Sequence, residues 1–316
     1  MTTPTAHETV RTDVLVVGAG PGGASAATHL ARLGRDVILA DGATFPRDKA
    51  CGDGLTPRAV AELEHLKLDH VLQGGPVNKG LRGYGFGKAL VLPWNGPHLP
   101  KHGSAIARTV LDNALRAAAL DAGATGLDGH RAVDVVLDRG KLTGVVLRSA
   151  DRIVTVEAKQ VIVADGGKSH LGRQLGRTWH QETVFGVASR AYATSPNADD
   201  PWITSHLELR DETGRLAAEH LIERGPLADL TTSWADELYA EYGEAFSIAR
   251  RLGILITSER IMKMSGPIGM RTPGVMKVAF RVMGNLVTPE DRDVVARAWR
   301  LVGRASLALD SRRPFH

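Results

Sequence analysis

Gly18-Ala-Gly-Pro-Gly-Gly23 puts glycine at the three fixed positions of G-x-G-x-x-G, and an acid, Asp41, follows about twenty residues later. Each position has a physical task. Gly18 allows a tight turn out of a strand, Gly20 lets backbone amides close on a diphosphate, and Gly23 lets a helix lie against the strand. Pro21 suits a first helical turn, where an amide hydrogen is dispensable, and Gly22 beside it adds no side chain. A diphosphate would sit at the positive end of that helix. The Asp41 carboxylate would accept hydrogen bonds from an adenosine ribose, which disfavours a 2′-phosphate but does not separate NAD from FAD.

Those residues need a strand, a helix and a second strand in order. Val14–Val17 is a strand-length apolar run, Ala24–Leu33 a small-residue amphipathic helix stopped by Gly34, and Val37–Ala40 a second strand. Together they make a βαβ unit of the usual size. A turn without a ligand does not explain that ordered set. Helices are expected over Pro57–Leu68 and Thr109–Ala122. Strands are expected over Leu81–Phe86, Ala89–Leu92, Ala132–Leu137, Leu142–Arg148, Ile153–Ala158 and Gln160–Ala164, the last ending in Asp165-Gly-Gly167. Strand-like Val184–Tyr192 and His206–Leu209 follow. From Glu212 to Asp310 the pattern is helical, with breaks expected at Pro226, Pro267, Pro273 and Pro289.

Composition narrows the class. The 316 residues suit one large α/β domain or two intimate ones, and 43% hydrophobic with 23% charged residues is an ordinary globular balance. One cysteine, Cys51, cannot pair within the chain, which points to a reducing compartment. A net charge of +4 with 5% aromatics lacks the basic, aromatic-rich stripe of a nucleic-acid binder. Met1–Thr12 is polar, without the layout of a signal peptide, and no apolar run approaches the ~20 residues that span a bilayer. The expected location is cytoplasmic, with peripheral contact at the inner face of the cell membrane left open. His29, His65, His130 and His180 lack metal-ligand spacing, so no metal site is expected.

Phe45-Pro-Arg-Asp-Lys-Ala-Cys-Gly-Asp-Gly-Leu-Thr-Pro-Arg58, with the glycine turn, resembles the geranylgeranyl reductase family of flavoproteins. The likeness extends to the actinobacterial branch that saturates a double bond in the prenyl tail of menaquinone. It continues at Ala107–Asp112, Val161–Ser169, Leu171–Arg173, Trp179–Val184, Asp200–Arg210 and Asn285–Thr288, almost the whole sequence. The resemblance implies a p-hydroxybenzoate hydroxylase-like fold: α/β, with a Rossmann-like FAD-binding domain, a β-sheet substrate domain and a helical C-terminal third. The implied divisions are 1–180 for FAD, with strands of the substrate sheet inserted around 74–103, then 181–211 for the remaining substrate sheet and 212–316 for the helices. It implies that Arg108, Asp165 and Gly166 approach the FAD pyrophosphate and ribose, and that Cys51, Gly52, Asp53 and Gly54 lie near the isoalloxazine ring. The Cys51 thiol is then a candidate catalytic proton donor, with Arg47 and Lys49 nearby to lower its pKa. Each has a plainer alternative: a surface arginine that opens a helix, a strand-to-helix turn, and a buried small apolar cysteine.

The sequence departs from the family pattern in one place. A G-D-A-A-G-like turn followed by P-x-x-G-E-G-I is missing, and so is an aromatic Y-x-W-x-F-P segment. Leu207–Asp211 runs straight into Glu212–His220, as though a block on the order of a hundred residues were excised near 211–212. Three functions compete. The first is an FAD-dependent reductase of a C=C bond in the prenyl tail of menaquinone or a geranylgeranyl compound, taking electrons from a transient donor such as NAD(P)H, a ferredoxin or a quinol. The second is an FAD-dependent aromatic monooxygenase. The third is an impaired remnant with a binding or accessory role, which would hold FAD weakly or not at all. For the first, Val275–Met283 and Ala249–Ile256, with Arg250, Arg251, Lys277 and Arg281, offer a basic apolar face toward anionic lipid, or else ordinary core-packing helices.

Overall fold

The computed structural model describes residues 6–85, 88–178, 190, 192, 198–206, 258–283, 286–288 and 290–309. Its strands are β1 (Ala6–Val17), β2 (Val37–Asp41), β3 (Gly54–Leu55), β4 (Val77–Asn78), β5 (Gly80–Gly85), β6 (Lys88–Pro93), β7 (Gly103–Ala105), β8 (Thr125–Asp128), β9 (Arg131–Asp138), β10 (Lys141–Arg148), β11 (Arg152–Val163) and β12 (Trp202–His206). Its helices are α1 (Pro21–Arg32), α2 (Pro57–His65), α3 (Arg108–Asp121), α4 (His170–Gln174), α5 (Glu259–Arg271), α6 (Pro273–Met283) and α7 (Val294–Ala308). The polypeptide forms two units. One takes Met1–Ala50, Ala107–Trp179 and Gly225–Leu230; the other takes Cys51–Ile106, His180–Arg224 and Thr231–His316.

The first unit is built on a six-stranded sheet in the order β8-β2-β1-β11-β10-β9. The first four strands of that order run parallel, and β10 and β9 add antiparallel. Period-2 alternation along β1 sends Val14 and Val16 to one face and Leu15 and Val17 to the other. Ala27 and Ala31 of α1 and Ala119 of α3 cover the first face, where alanine lets helix axes lie close to the strands. Ile38, Val145, Leu147, Val154, Val156 and Leu171 fill the second. Leu15 is fully buried, so Leu15→Ala would cost about 2–5 kcal/mol.

Three local differences from the sequence expectation have physical reasons. Ile153–Ala158 and Gln160–Ala164 are one strand, β11, which ladders in parallel with β1 from Ala6↔Arg152 to Val17↔Val163. Exposed Lys159 and Gln160 interrupt the apolar pattern but not the backbone pairing. Helix α1 starts at Pro21, inside the glycine motif, because only the first turn tolerates a residue with no N–H. Pro267 lies inside α5 and does not end it. The β9–β10 turn has Arg139 and Gly140 at φ 49° and 80°, as a tight two-residue hairpin requires.

In the second unit β12 pairs parallel to β5, which pairs antiparallel to β6, and β3-β7-β4 form a small separate sheet. Its core joins Leu92, Trp94, Phe280 and Leu286. Trp94 stacks on Phe280 at 5.1 Å and donates its indole N–H to Asn78 Oδ1 at 2.8 Å. Arg281 does not belong to an exposed basic face. It is 7% exposed, with its guanidinium forked onto Asp293 at 2.7 and 2.9 Å and onto buried Asp291 at 2.6 Å. Asp293 also caps α7, accepting from the Val295 and Ala296 amides. Hydrogen bonding to Arg281, helped by those amides, holds its carboxyl far below the ordinary carboxylate range.

No helix among the described residues is long and apolar enough to cross a membrane. The strand expected at Val184–Tyr192, the junction at 211–212, the helices expected over 212–257 with Ala249–Ile256, Arg250 and Arg251, and His180 lie outside the described residues, apart from residues 190 and 192.

Candidate functional site

The C-terminal ends of β1, β2 and β11 open into a cleft of about 510 Å³, in the usual range for small-molecule sites. Gly18, Gly20, Pro21 and Gly22 line it from the β1–α1 turn, Asp41 from β2, Arg108 from the start of α3, and Asp165 and Gly166 from the turn after β11. All of these were named from sequence. Gly23 lies behind the turn, where a Cβ would stand 1.8 Å from the Gly18 carbonyl oxygen. Gly18 sits at φ 105°, and a Cβ there would meet the Ala164 carbonyl oxygen at 2.3 Å. The turn therefore tolerates no side chain at either position. At Gly22 a Cβ would meet open space, so this stretch of backbone faces the cleft unobstructed.

No side chain caps α1 at Gly20, so the amides of its first turn face the cleft at the positive end of the helix. Asp41 is fixed by accepting from the Ala19 amide at 2.7 Å and the Ala43 amide at 2.8 Å, one on each carboxylate oxygen. A carboxylate has about four acceptor sites, so capacity remains for ribose hydroxyls. Asp165 accepts from the Leu171 amide through Oδ2 at 3.2 Å, while its buried Oδ1 has no hydrogen-bond partner. A buried acceptor without a donor at the wall of a cleft fits a ligand hydroxyl.

Arg47 was read from sequence only as a neighbour of Cys51, and Asp112 was not singled out at all. Arg108 donates to Asp112 through Nε at 2.6 Å and Nη2 at 2.7 Å, a bidentate i, i+4 fork. Arg47 Nη1 lies 3.0 Å from the same carboxylate without an aligned hydrogen bond, and its Nη2 lies 3.4 Å from the place a Gly20 Cβ would take. One fully buried acid thus holds two guanidinium groups at the phosphate turn. The available signal was the Arg-x-x-x-Asp spacing on a helix that opens at the site. Lys49, Arg131 and Lys168 also line the cleft, giving it a positive rim. Arg152 donates to Nε2 of buried His130 at 3.1 Å, and the His130 Nδ1 lies 2.7 Å from the Asp128 carbonyl oxygen.

Cys51, Gly52, Asp53 and Gly54 belong to the second unit, whereas Arg47 and Lys49 belong to the first. Cys51 is half-buried. Asp53, nearly buried at φ 55°, accepts from the Tyr192 hydroxyl at 2.7 Å and from Arg190 at 3.3 Å. Arg190 lies over the Tyr192 ring at 4.5 Å. Gly54 pairs with Ala105 in the small sheet, so the loop is anchored just after Asp53. Sequence reasoning did not find Arg190 or Tyr192, because nothing in their spacing connects them to Asp53.

Residues 11–224 match the FAD binding domain family. The chain belongs to that family. It is 40% identical to the menaquinone reductase of Mycolicibacterium smegmatis over 409 aligned residues, covering 96% of this chain and 99% of the relative. The menaquinone reductase of Mycobacterium tuberculosis is also 40% identical, with 98% of it covered. A digeranylgeranylglycerophospholipid reductase of Thermoplasma acidophilum is 34% identical over 52% of this chain and 41% of its own length. The myxobacterial chondrochloren halogenase, an FAD-dependent enzyme, superposes with a TM-score of 0.50 at 22% identity over 54% of this chain and 40% of the halogenase.

The fold is therefore the α/β FAD-binding fold of the p-hydroxybenzoate hydroxylase-like class, and the relationship read from residues 45–58 is borne out. An alignment of 409 residues against a protein of 316 leaves at least 93 positions of the relative without a counterpart, in line with the expected missing block. The residues present fit FAD: glycine backbone and an open helix end for the pyrophosphate, Asp41 for a ribose, two pinned arginines, and an unpartnered acceptor on Asp165.

Proposed function

We propose that this protein is a flavin-dependent reductase that saturates a C=C bond in the prenyl tail of a menaquinone-type lipid. The observation that carries this reading is its 40% identity to mycobacterial menaquinone reductases along nearly their whole length. Once reduced, bound FAD supplies the hydride for such a saturation.

The remaining work falls to the protein. The Gly22 and Gly23 amides would donate to the pyrophosphate of bound FAD, and Arg47 and Arg108 would neutralise its charge. The Asp41 carboxylate would accept from the adenosine ribose, and the unpartnered Asp165 Oδ1 would accept from another FAD hydroxyl. Asp53, held by Arg190 and Tyr192, anchors the loop that carries Cys51, whose thiol would be the proton donor for the substrate carbon. One dinucleotide turn is present in the sequence, so the electron donor docks transiently, as NAD(P)H, a ferredoxin or a quinol would.

Mass spectrometry of menaquinones from cells with and without the gene tests this directly. The expected result is loss of the prenyl-reduced species in the deletion strain and its return on complementation. An unchanged quinone profile would contradict the proposal, and oxygen consumption driven by a phenolic substrate would point instead to ring hydroxylation.

A further inference from the structure

Helices α5 and α6 form a hairpin in the second unit, with Gly269 of α5 against the Met276 side chain of α6. The inner side of α6 is settled: Phe280 stacks on Trp94, Met276 packs on that core, and Arg281 is buried among acids. At 100° per residue, Val275 and Val278 fall on the opposite side, and both are exposed. On α5, Ile261, Met264 and Ile268 fall within one 60° arc by the same spacing. Met264 is 71% and Ile268 64% exposed, and Val275 on α6 is 62% exposed.

The charges nearest this stripe on α5 are cations. Residues 259–283 contain Arg260, Lys263, Arg271, Lys277 and Arg281 against a single acid, Glu259, at the first position of α5. Arg260, Lys263, Arg271 and Lys277 are exposed; by the same spacing Arg260 and Arg271 border one edge of the apolar arc of α5, whereas Lys263 lies farther round that helix and Lys277 falls on the Phe280 side of α6. The hydroxyls of Ser265 and Thr272 turn back onto the carbonyls of Ile261 and Ile268, so they present no unmet polar demand. A water-facing helix pair ordinarily mixes both signs of charge and carries no such stripe. Exposed apolar residues edged by Arg260 and Arg271 match the surface of an anionic bilayer: side chains enter the acyl boundary while guanidinium groups meet headgroups.

We propose that the outer face of the α5–α6 hairpin docks the enzyme on a membrane surface rich in anionic lipid. The inference rests on the proposed lipid substrate for its purpose, but its test needs no turnover. The full-length protein is sedimented with phosphatidylglycerol vesicles and with phosphatidylcholine vesicles, at low and at high salt. Binding is expected to the anionic vesicles only and to weaken with salt. Arg271→Ala should lower the partition coefficient roughly five-fold, and Arg271→Glu by more. Ile268→Asp with Val275→Asp should abolish binding while leaving FAD content unchanged, which shows that the variant is folded.

Failure to bind anionic vesicles, or equal binding by the double variant, would overturn the proposal. So would a concentration-dependent dimer dispersed by the same substitutions, since the face would then belong to a second copy. The quinone profile of cells, measured separately, tests the activity whichever way the vesicles fall.

Discussion

Replacing Asp112 with asparagine sets two arguments against each other. By net charge alone, removing a buried acid beside a diphosphate site should strengthen binding of an anion. By geometry it should weaken it, because Asp112 holds Arg108 by a fork at 2.6 and 2.7 Å and draws Arg47 to 3.0 Å. Asparagine offers one acceptor oxygen, and its amide points donors at guanidinium groups that have only donors. Each arginine contact to the pyrophosphate is worth about 1.5–3 kcal/mol when pre-oriented. Losing the orientation of both, but not their charge, should cost about 1.4–2.8 kcal/mol, which is a ten- to hundred-fold rise in the Kd for FAD. Removing the charge of the fully buried acid that both guanidinium groups face should also lower stability by about 3 kcal/mol. Fluorescence titration of apoprotein with FAD, and with ADP as a probe of the pyrophosphate end, reads the first effect; Tm reads the second. Arg47→Lys, which keeps the charge and loses the planar guanidinium, should weaken FAD with little change in Tm. Tighter or unchanged FAD binding by Asp112→Asn would refute the positioning argument.

Other expectations follow from the same geometry. Gly23→Ala sets a Cβ 1.8 Å from the Gly18 carbonyl oxygen, so the turn must open, and flavin retention should be lost even where the variant is recovered. Trp94→Ala removes the stack on Phe280 and leaves Asn78 without its indole donor, a cost of about 3–5 kcal/mol visible as a lower Tm. The Arg281–Asp293 pair depresses the folded-state pKa of Asp293, so its contribution is fully present above the unfolded carboxylate value near 4 and is lost as pH falls below it. Asp293→Asn should flatten the acid limb of a stability–pH curve, and Asp293→Ala should also cost about 1 kcal/mol as a lost helix cap at every pH.

The first unit was legible because its information is local. Gly18, Gly20, Gly23 and Asp41 lie within one βαβ unit, and the alternation of Val14 to Val17 states which faces of the strand are covered. Asp165 and Gly166 were found through family likeness, and the unpartnered oxygen of Asp165 adds a physical reason for their place. What sequence did not reveal depends on long-range pairing. Asp53 meets Arg190 and Tyr192 from almost 140 residues away, and Arg47 meets Asp112 across the whole inserted segment. Between an exposed basic face and core packing, the sequence left Arg281 open for a related reason. A cation on an apolar helix looks solvent-facing until the acids that bury it, Asp291 and Asp293, are seen folded back from the next helix start.

The ratio of flavin to polypeptide after gentle purification is the decisive measurement for this protein. A polypeptide that carries its glycine turn, Asp41, the pinned arginines and Asp165 around one cleft should retain close to one FAD per molecule, identified by its absorbance and by mass after denaturation. Flavin-free protein that still fails to quench FAD fluorescence at saturating coenzyme would mean that this cleft no longer serves a flavin enzyme.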